Sequence, residues 1–208
     1  DHGDAARASQ EEPKWSNPPK LRAAERLAAL QRYVDKLAAE GVDSSRNRLR
    51  AAFFADCSEG QQENAITFCD APVGTGKTTA VMANLLSAAA RRKLRRIFII
   101  LPFTNIITQS VKVYRKALVL PGERGDDVVA EIHHRADFGD MASRKLTALW
   151  DAPVVVTTAV AFFETMASAT PSTLRRLQNL PGSAVFLDEA HAMLPVKLLP
   201  LAWQWIQH

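Results

Sequence analysis

Cysteine is scarce: Cys57 and Cys69 are the two in 208 residues. Two thiols cannot supply the four ligands of a structural zinc site, nor a secreted disulfide framework. They read as reduced core or near-core thiols of a cytosolic protein. Long hydrophobic runs are missing as well. The densest, residues 97–101, is five residues long, far short of the ~20 that cross a bilayer, so no membrane partner is expected. The chain opens Asp1-His2-Gly3-Asp4, with no Met and no apolar signal core, and this reads as a fragment or a processed product. Neither sign of charge dominates: 26 Lys and Arg stand against 22 Asp and Glu, a net charge of +4. That excess permits nucleic-acid binding without demanding it. Internal repeats and low-complexity tracts are absent. With 47% hydrophobic and 23% charged residues, the composition excludes a disordered or fibrous chain. It leaves one good-sized globular domain with room for a small appendage.

Residues 1–20 are polar and hold Pro13, Pro18 and Pro19, a loosely ordered lead-in. Residues 21–64 read as a helical segment and linker. Leu21, Ala24, Leu27, Ala28, Leu30, Val34, Leu37 and Ala38 recur at three and four, with Gly41 as the stop. A second helix is expected over about 47–55, then a polar linker over 58–64. From residue 65 the texture changes. Short apolar runs at 65–69, 97–101, 128–132, 154–157 and 184–187 are β-branched or aromatic and nearly continuous. Parallel strands buried on both faces have that composition. Helical patterns at 77–91, 104–117, 141–150, 160–167 and 194–207 alternate with them. The alternation predicts an α/β domain over 65–208, a parallel sheet flanked by helices.

The strongest motif is Ala71-Pro72-Val73-Gly74-Thr75-Gly76-Lys77-Thr78, set between an expected strand at 66–69 and an expected helix. Glycines let successive backbone N–H groups converge on one point. The helix N-terminus adds partial positive charge, so the turn suits a di- or triphosphate. Gly74, Thr75, Gly76, Lys77, Thr78 and Thr79 are the candidate ATP-binding residues, with Lys77 reaching the β- and γ-phosphates and Thr78 ligating Mg²⁺. The second motif, Ala184-Val185-Phe186-Leu187-Asp188-Glu189-Ala190-His191, is an apolar strand ending in two carboxylates. The end of a buried parallel strand is where such sheets bind ligand. Asp188 can hold Mg²⁺ and Glu189 can orient and deprotonate the attacking water, which makes Lys77 and Glu189 the candidate catalytic pair. His191 is placed to sense nucleotide or to contact a partner lobe.

The phosphate loop begins with Ala71 rather than Gly, a variant that resembles helicases of superfamily 2. Together the two motifs resemble the first RecA-like lobe of a DEAH-type helicase of that superfamily. Leu101-Pro102-Phe103-Thr104-Asn105-Ile106-Ile107-Thr108-Gln109 follows the second expected strand, where the family carries motif Ia. Val154-Val155-Val156-Thr157-Thr158-Ala159-Val160 stands where these helicases keep a Thr-containing nucleic-acid motif. The resemblance makes Pro102, Thr104, Asn105, Thr157 and Thr158 candidate contacts to phosphates of single-stranded DNA. More narrowly, the 101–109 segment, Ile132-His133-His134, Arg50…Phe53…Cys57 and Asp1-His2-Gly3-Asp4-Ala5-Ala6-Arg7 resemble the CRISPR-associated helicase-nuclease of type I interference systems. That resemblance implies antiviral DNA degradation in the cytoplasm, a CRISPR effector complex as partner, an HD nuclease domain ending near Asp1, and a second RecA-like lobe. Nothing after His191 supplies that lobe or its arginine finger, so this stretch alone is expected to be nearly inactive.

Some features depart from the pattern. Ser168-Ala169-Thr170 spells motif III but precedes Asp188, whereas motif III follows it. Gln61 and Gln62 are the candidates for an adenine-reading motif that is otherwise not visible. His133 and His134 lack metal-ligand spacing, and the basic run Arg91, Arg92, Lys93, Arg95 and Arg96 reads as a solvated face. Trp203 and Trp205 face different ways on an expected helix. Alternatives are another superfamily 2 helicase acting on RNA or duplex DNA, an AAA+ ATPase, and a non-catalytic nucleotide-binding module.

Overall fold

The computed structural model describes residues 19–41, 45–60, 66–132, 150–167, 170–189 and Gln204. The helices α1 (Ala23–Glu40) and α2 (Ser45–Glu59) come first. They are followed by α3 (Lys77–Arg92), β1 (Arg96–Leu101) and α4 (Thr104–Leu118). Then come α5 (Gly125–Val128), β2 (Val129–Ile132), β3 (Val154–Thr158) and α6 (Ala159–Ala167). The short α7 (Pro171–Leu177) and β4 (Ser183–Leu187) close the described part. The four strands form one parallel sheet in the order β2-β3-β1-β4, so the expected α/β class holds.

Alternation along the strands divides the sheet into two faces. Ile97, Ile99, Leu101, Val129, Val154 and Val156 face a core shared with α3 and α4. Phe98, Ile100, Ala130 and Val155 face a second core built on Trp150 and Phe162, whose rings stack 5.8 Å apart. Burial on both sides explains why the runs read as continuous rather than alternating.

Leu21 and Leu30, beside and on α1, and Phe54 of α2 are buried in the same core as α3. Arg26 of α1 is fully buried and donates to the carbonyl of Leu118 at 2.8 Å and to Glu123 at 2.7 Å.

One expectation is corrected. Residues 66–70 do not enter the sheet, and all five are exposed, with Phe68 86% exposed. β-branched and aromatic composition sets a preference for extended backbone. A strand also needs a neighbouring edge to bond to, and β4 pairs among the described residues with β1 alone. The helix α7 was not expected from the apolar pattern; Thr170 caps it, accepting from the Thr173 N–H at 3.4 Å, and Pro171 sits in its first turn. The expected helices over 141–150 and 194–207, apart from Trp150 and Gln204, lie outside the described residues. So do Asp1, Gln61, Gln62, His133, His134, Ser168, Ala169, His191, Trp203 and Trp205.

Candidate nucleotide site

The loop ahead of α3 turns on two glycines in the left-handed region, Gly74 at φ +87° and Gly76 at φ +80°. Side chains rarely adopt that backbone, which is why the sequence spends glycine there. Thr75 between them is buried, and its hydroxyl donates to the Pro72 carbonyl at 2.8 Å. The Thr79 hydroxyl donates to the Gly76 carbonyl at 3.0 Å, and the N–H groups of Thr79 and Ala80 return to the same carbonyl at 3.1 Å. Lys77 and Thr78 begin α3, so their N–H groups have no partner within the helix. Thr78 is exposed and Lys77 half-buried.

The acidic motif arrives from the sheet. In the parallel register Leu187 of β4 stands beside Ile100 of β1. The Asp188 N–H continues that ladder by donating to the Ile100 carbonyl at 3.0 Å. Asp188 therefore leaves the sheet at its C-terminal end, the end from which Pro102 also departs. Burial pushes the Asp188 carboxyl above the usual carboxylate range. The Lys77 ammonium pulls it back, the Glu189 charge pushes it up, and the Glu189 backbone N–H bonds it. Lys77 and Asp188, far apart in sequence, thus lie within electrostatic reach of each other. Glu189 is exposed and takes φ +51°, a left-handed backbone that is strained for a non-glycine residue.

Two residues at the site were not legible in the sequence. The hydroxyl of Tyr114, buried on α4, lies 3.5 Å from the Thr78 carbonyl, and it feels the charge of Asp188. Its position on the apolar stripe of α4 reads as ordinary core. Phe103, before α4, is 62% exposed beside Pro102 and Thr104. The resemblance had drawn attention to Pro102, Thr104 and Asn105 and not to the ring.

The candidate nucleic-acid contacts separate. Thr104 and Asn105 are exposed at the start of α4 and Pro102 is partly exposed. Thr157 is fully buried, and its hydroxyl has no hydrogen-bond partner among the described residues. Thr158 is nearly buried, and its hydroxyl accepts from the Ala161 N–H at 3.1 Å, capping α6. Cys57 is partly buried, and burial pushes its thiol up to about 11. Cys69 is exposed and not the near-core thiol expected. Among the described residues no group of three or more His, Cys, Asp or Glu gathers to hold a metal ion. No described helix is long and apolar enough to cross a membrane.

The donor set fits a nucleotide with a divalent cation. The loop presents helix-terminal N–H groups and one ammonium. The neighbouring Asp188–Glu189 pair has Lys77 as its nearby counter-charge, and a hard dication is suited to a hydroxyl and a carboxylate. A comparison with protein families matches residues 50–200 to the DEAD/DEAH box helicase family. No curated protein matches the chain.

Proposed function

Because this chain belongs to the DEAD/DEAH box helicase family, an ATP-hydrolysing group of helicases, we propose that its nucleotide site is the Gly74–Thr79 loop with Asp188 and Glu189. The observation that carries this is that Asp188 leaves the sheet at the end of β4, its N–H on the Ile100 carbonyl, near enough to Lys77 for the ammonium to lower its carboxyl. In this reading the N–H groups at the start of α3 and the Lys77 ammonium bind the phosphates. Thr78 and Asp188 would hold Mg²⁺, which when bound neutralises phosphate charge. Glu189 orients the attacking water and takes its proton. His191 couples the site to a partner lobe. Family membership sets aside the AAA+ alternative and the non-catalytic module.

The nucleic acid is single-stranded DNA, held along its backbone by Pro102, Thr104 and Asn105. The finer reading is the ATP-binding lobe of a CRISPR-associated helicase-nuclease of type I systems. Its support is the sequence likeness of 101–109, 132–134 and the opening residues. A superfamily 2 helicase acting on RNA or duplex DNA is the rival. An HD nuclease domain encoded ahead of Asp1 would decide for the first.

The test of the site is calorimetry with ATP and Mg²⁺. Lys77→Ala should abolish measurable binding. Unchanged affinity in that variant would refute the assignment. The 208-residue stretch alone should turn ATP over slowly, because an arginine supplied to the transferring phosphate is worth roughly 10³–10⁵ in rate. Robust DNA-stimulated turnover by this stretch would contradict that.

A further inference from the structure

Arg50 lies on α2, outside both motifs, 24 positions ahead of Gly74. Its Nε donates to the Gly74 carbonyl at 2.8 Å. A second guanidinium nitrogen donates to the Asn47 side-chain oxygen at 3.2 Å. Its stem runs along the loop, with Cγ 3.8 Å from where a Cβ on Gly76 would stand. The fork thus spans from the first turn of α2 to the apex of the phosphate loop. Thr75 next to it is anchored on the Pro72 carbonyl, but the apex at Gly74 itself is open. Gly74 is exposed, and a Cβ built on it would meet nothing within 4 Å. Val73 beside it is fully exposed.

A trans peptide is planar, so its carbonyl and the following N–H point in opposite directions. Holding the Gly74 carbonyl toward α2 therefore directs the Thr75 N–H away from α2, into the loop. That N–H now donates to the Pro72 carbonyl at 3.4 Å, longer than a good hydrogen bond. A phosphate oxygen is a stronger acceptor, because its charge shortens and strengthens the bond. A Gly-rich apex without the tie samples more backbone conformations, and ligand binding must then select among them.

We infer that Arg50 is a positioning residue of the nucleotide site, fixing the Gly74–Thr75 peptide from α2 so that its N–H is preset for phosphate. The inference rests on the reading of the 74–79 loop as the nucleotide site. It needs the planar fork as well as the charge, since one terminal nitrogen is held by Asn47 while Nε holds the loop. A lysine ammonium cannot reproduce that pair of directions.

The experiment compares wild type, Arg50→Ala, Arg50→Lys and Lys77→Ala. It measures ATP–Mg²⁺ affinity by calorimetry, unfolding temperature without ligand, and amide exchange of residues 73–76 without ligand. Arg50→Ala should weaken ATP about tenfold, equivalent to ~1.4 kcal/mol. It should speed exchange at the loop and leave the ligand-free unfolding temperature nearly unchanged. Arg50→Lys should stay closer to Arg50→Ala than to wild type. Full rescue by Lys would show an effect of charge alone and overturn the inference. So would a fall in ligand-free stability that accounts for the whole affinity loss. If Lys77→Ala abolishes binding while Arg50→Ala binds like wild type, the inference fails and the site stands. If Lys77→Ala also binds like wild type, the site reading fails and takes this inference with it.

Discussion

Replacing Arg26 tests whether α1 is an integral part of the nucleotide-binding lobe. Its guanidinium is fully buried. It donates to the carbonyls of Leu21 at 2.7 Å, Leu118 at 2.8 Å and Lys20 at 3.3 Å. It also donates to both carboxylate oxygens of Glu123, at 2.7 and 3.0 Å. These bonds join the start of α1 to the end of α4 and the turn beyond it. Truncation to alanine strands the Leu21 and Leu118 carbonyls and removes the main partner of Glu123. Breaking a buried ion pair from one side costs roughly 3–5 kcal/mol. Glu123 is 15% exposed and keeps Arg22 at 3.6 Å and the Leu120 N–H at 3.0 Å, so the lower end applies, about 3 kcal/mol. For a protein of this size that lowers Tm by about 6–12 °C. Thermal unfolding followed by circular dichroism measures it. Arg26→Met retains most of the stem's packing and should fall nearly as far, because the carbonyls are still stranded and Glu123 still lacks its main partner.

Acid gives an independent check. Burial alone would raise the Glu123 carboxyl, but the Arg26 hydrogen bond, the Leu120 N–H and the charges of Arg26 and Arg22 bring it below the usual carboxylate range. A folded value below the unfolded one contributes stability at neutral pH that is lost as pH falls through the folded value. The cost of Arg26→Ala should therefore shrink on acidification. Losses under about 2 °C for both variants at neutral pH would refute the reasoning, given the ~2–4 °C expected per kcal/mol. So would a cost that does not depend on pH.

Asp188 behaves in the opposite sense. Its folded value lies above the usual range, so the folded chain holds a proton that the unfolded chain has lost, and stability falls as pH rises through that window. Asp188→Asn should raise the neutral-pH Tm of the ligand-free protein while abolishing the Mg²⁺ dependence of ATP binding; a lower Tm would contradict the burial argument. Glu189→Gln should bind ATP normally and, in the full-length protein, lose turnover by roughly 10²–10⁴, the usual worth of a general base; wild-type turnover would remove Glu189 from the chemistry. Single-stranded DNA should bind weakly and alike for poly-dT and mixed sequence, with a shallow salt slope of about −0.7 per phosphate. Thr104→Val with Asn105→Ala should weaken both equally in a filter-binding titration; a strong base preference would place the DNA elsewhere. Thr158→Val should instead cost about 1 kcal/mol of stability by removing the α6 cap, read in urea unfolding.

The sequence by itself determined the elements whose signal is local. The runs at 97–101, 154–157 and 184–187 became strands within one residue of the expected bounds. Their apolar residues serve both faces of a buried sheet, so the composition carries the answer. The phosphate loop was legible because glycine at 74 and 76 is a conformational requirement, met at φ +87° and +80°. The place of Asp188 was legible because it follows an apolar run, and its N–H continues the ladder of the strand that run forms.

What the tertiary structure alone decided was pairing and partnership. Residues 66–69 have strand composition, and whether they join a sheet depends on a neighbouring edge that no local pattern encodes. Thr157 and Thr158 look alike in sequence. The pleat buries one and the start of α6 engages the other, so their hydroxyls face inward while Thr104 faces out. Arg26 reads as one more charge on an amphipathic helix; it becomes a buried anchor because the chain 97 residues later brings Glu123 to it. Arg50 stood out in the sequence only as part of the Arg50…Phe53…Cys57 resemblance, and it meets Gly74 because α2 packs beside α3. Each of these depends on a contact between distant parts of the chain. Such contacts are set by how the layers pack, and a sequence window sees only its own neighbours.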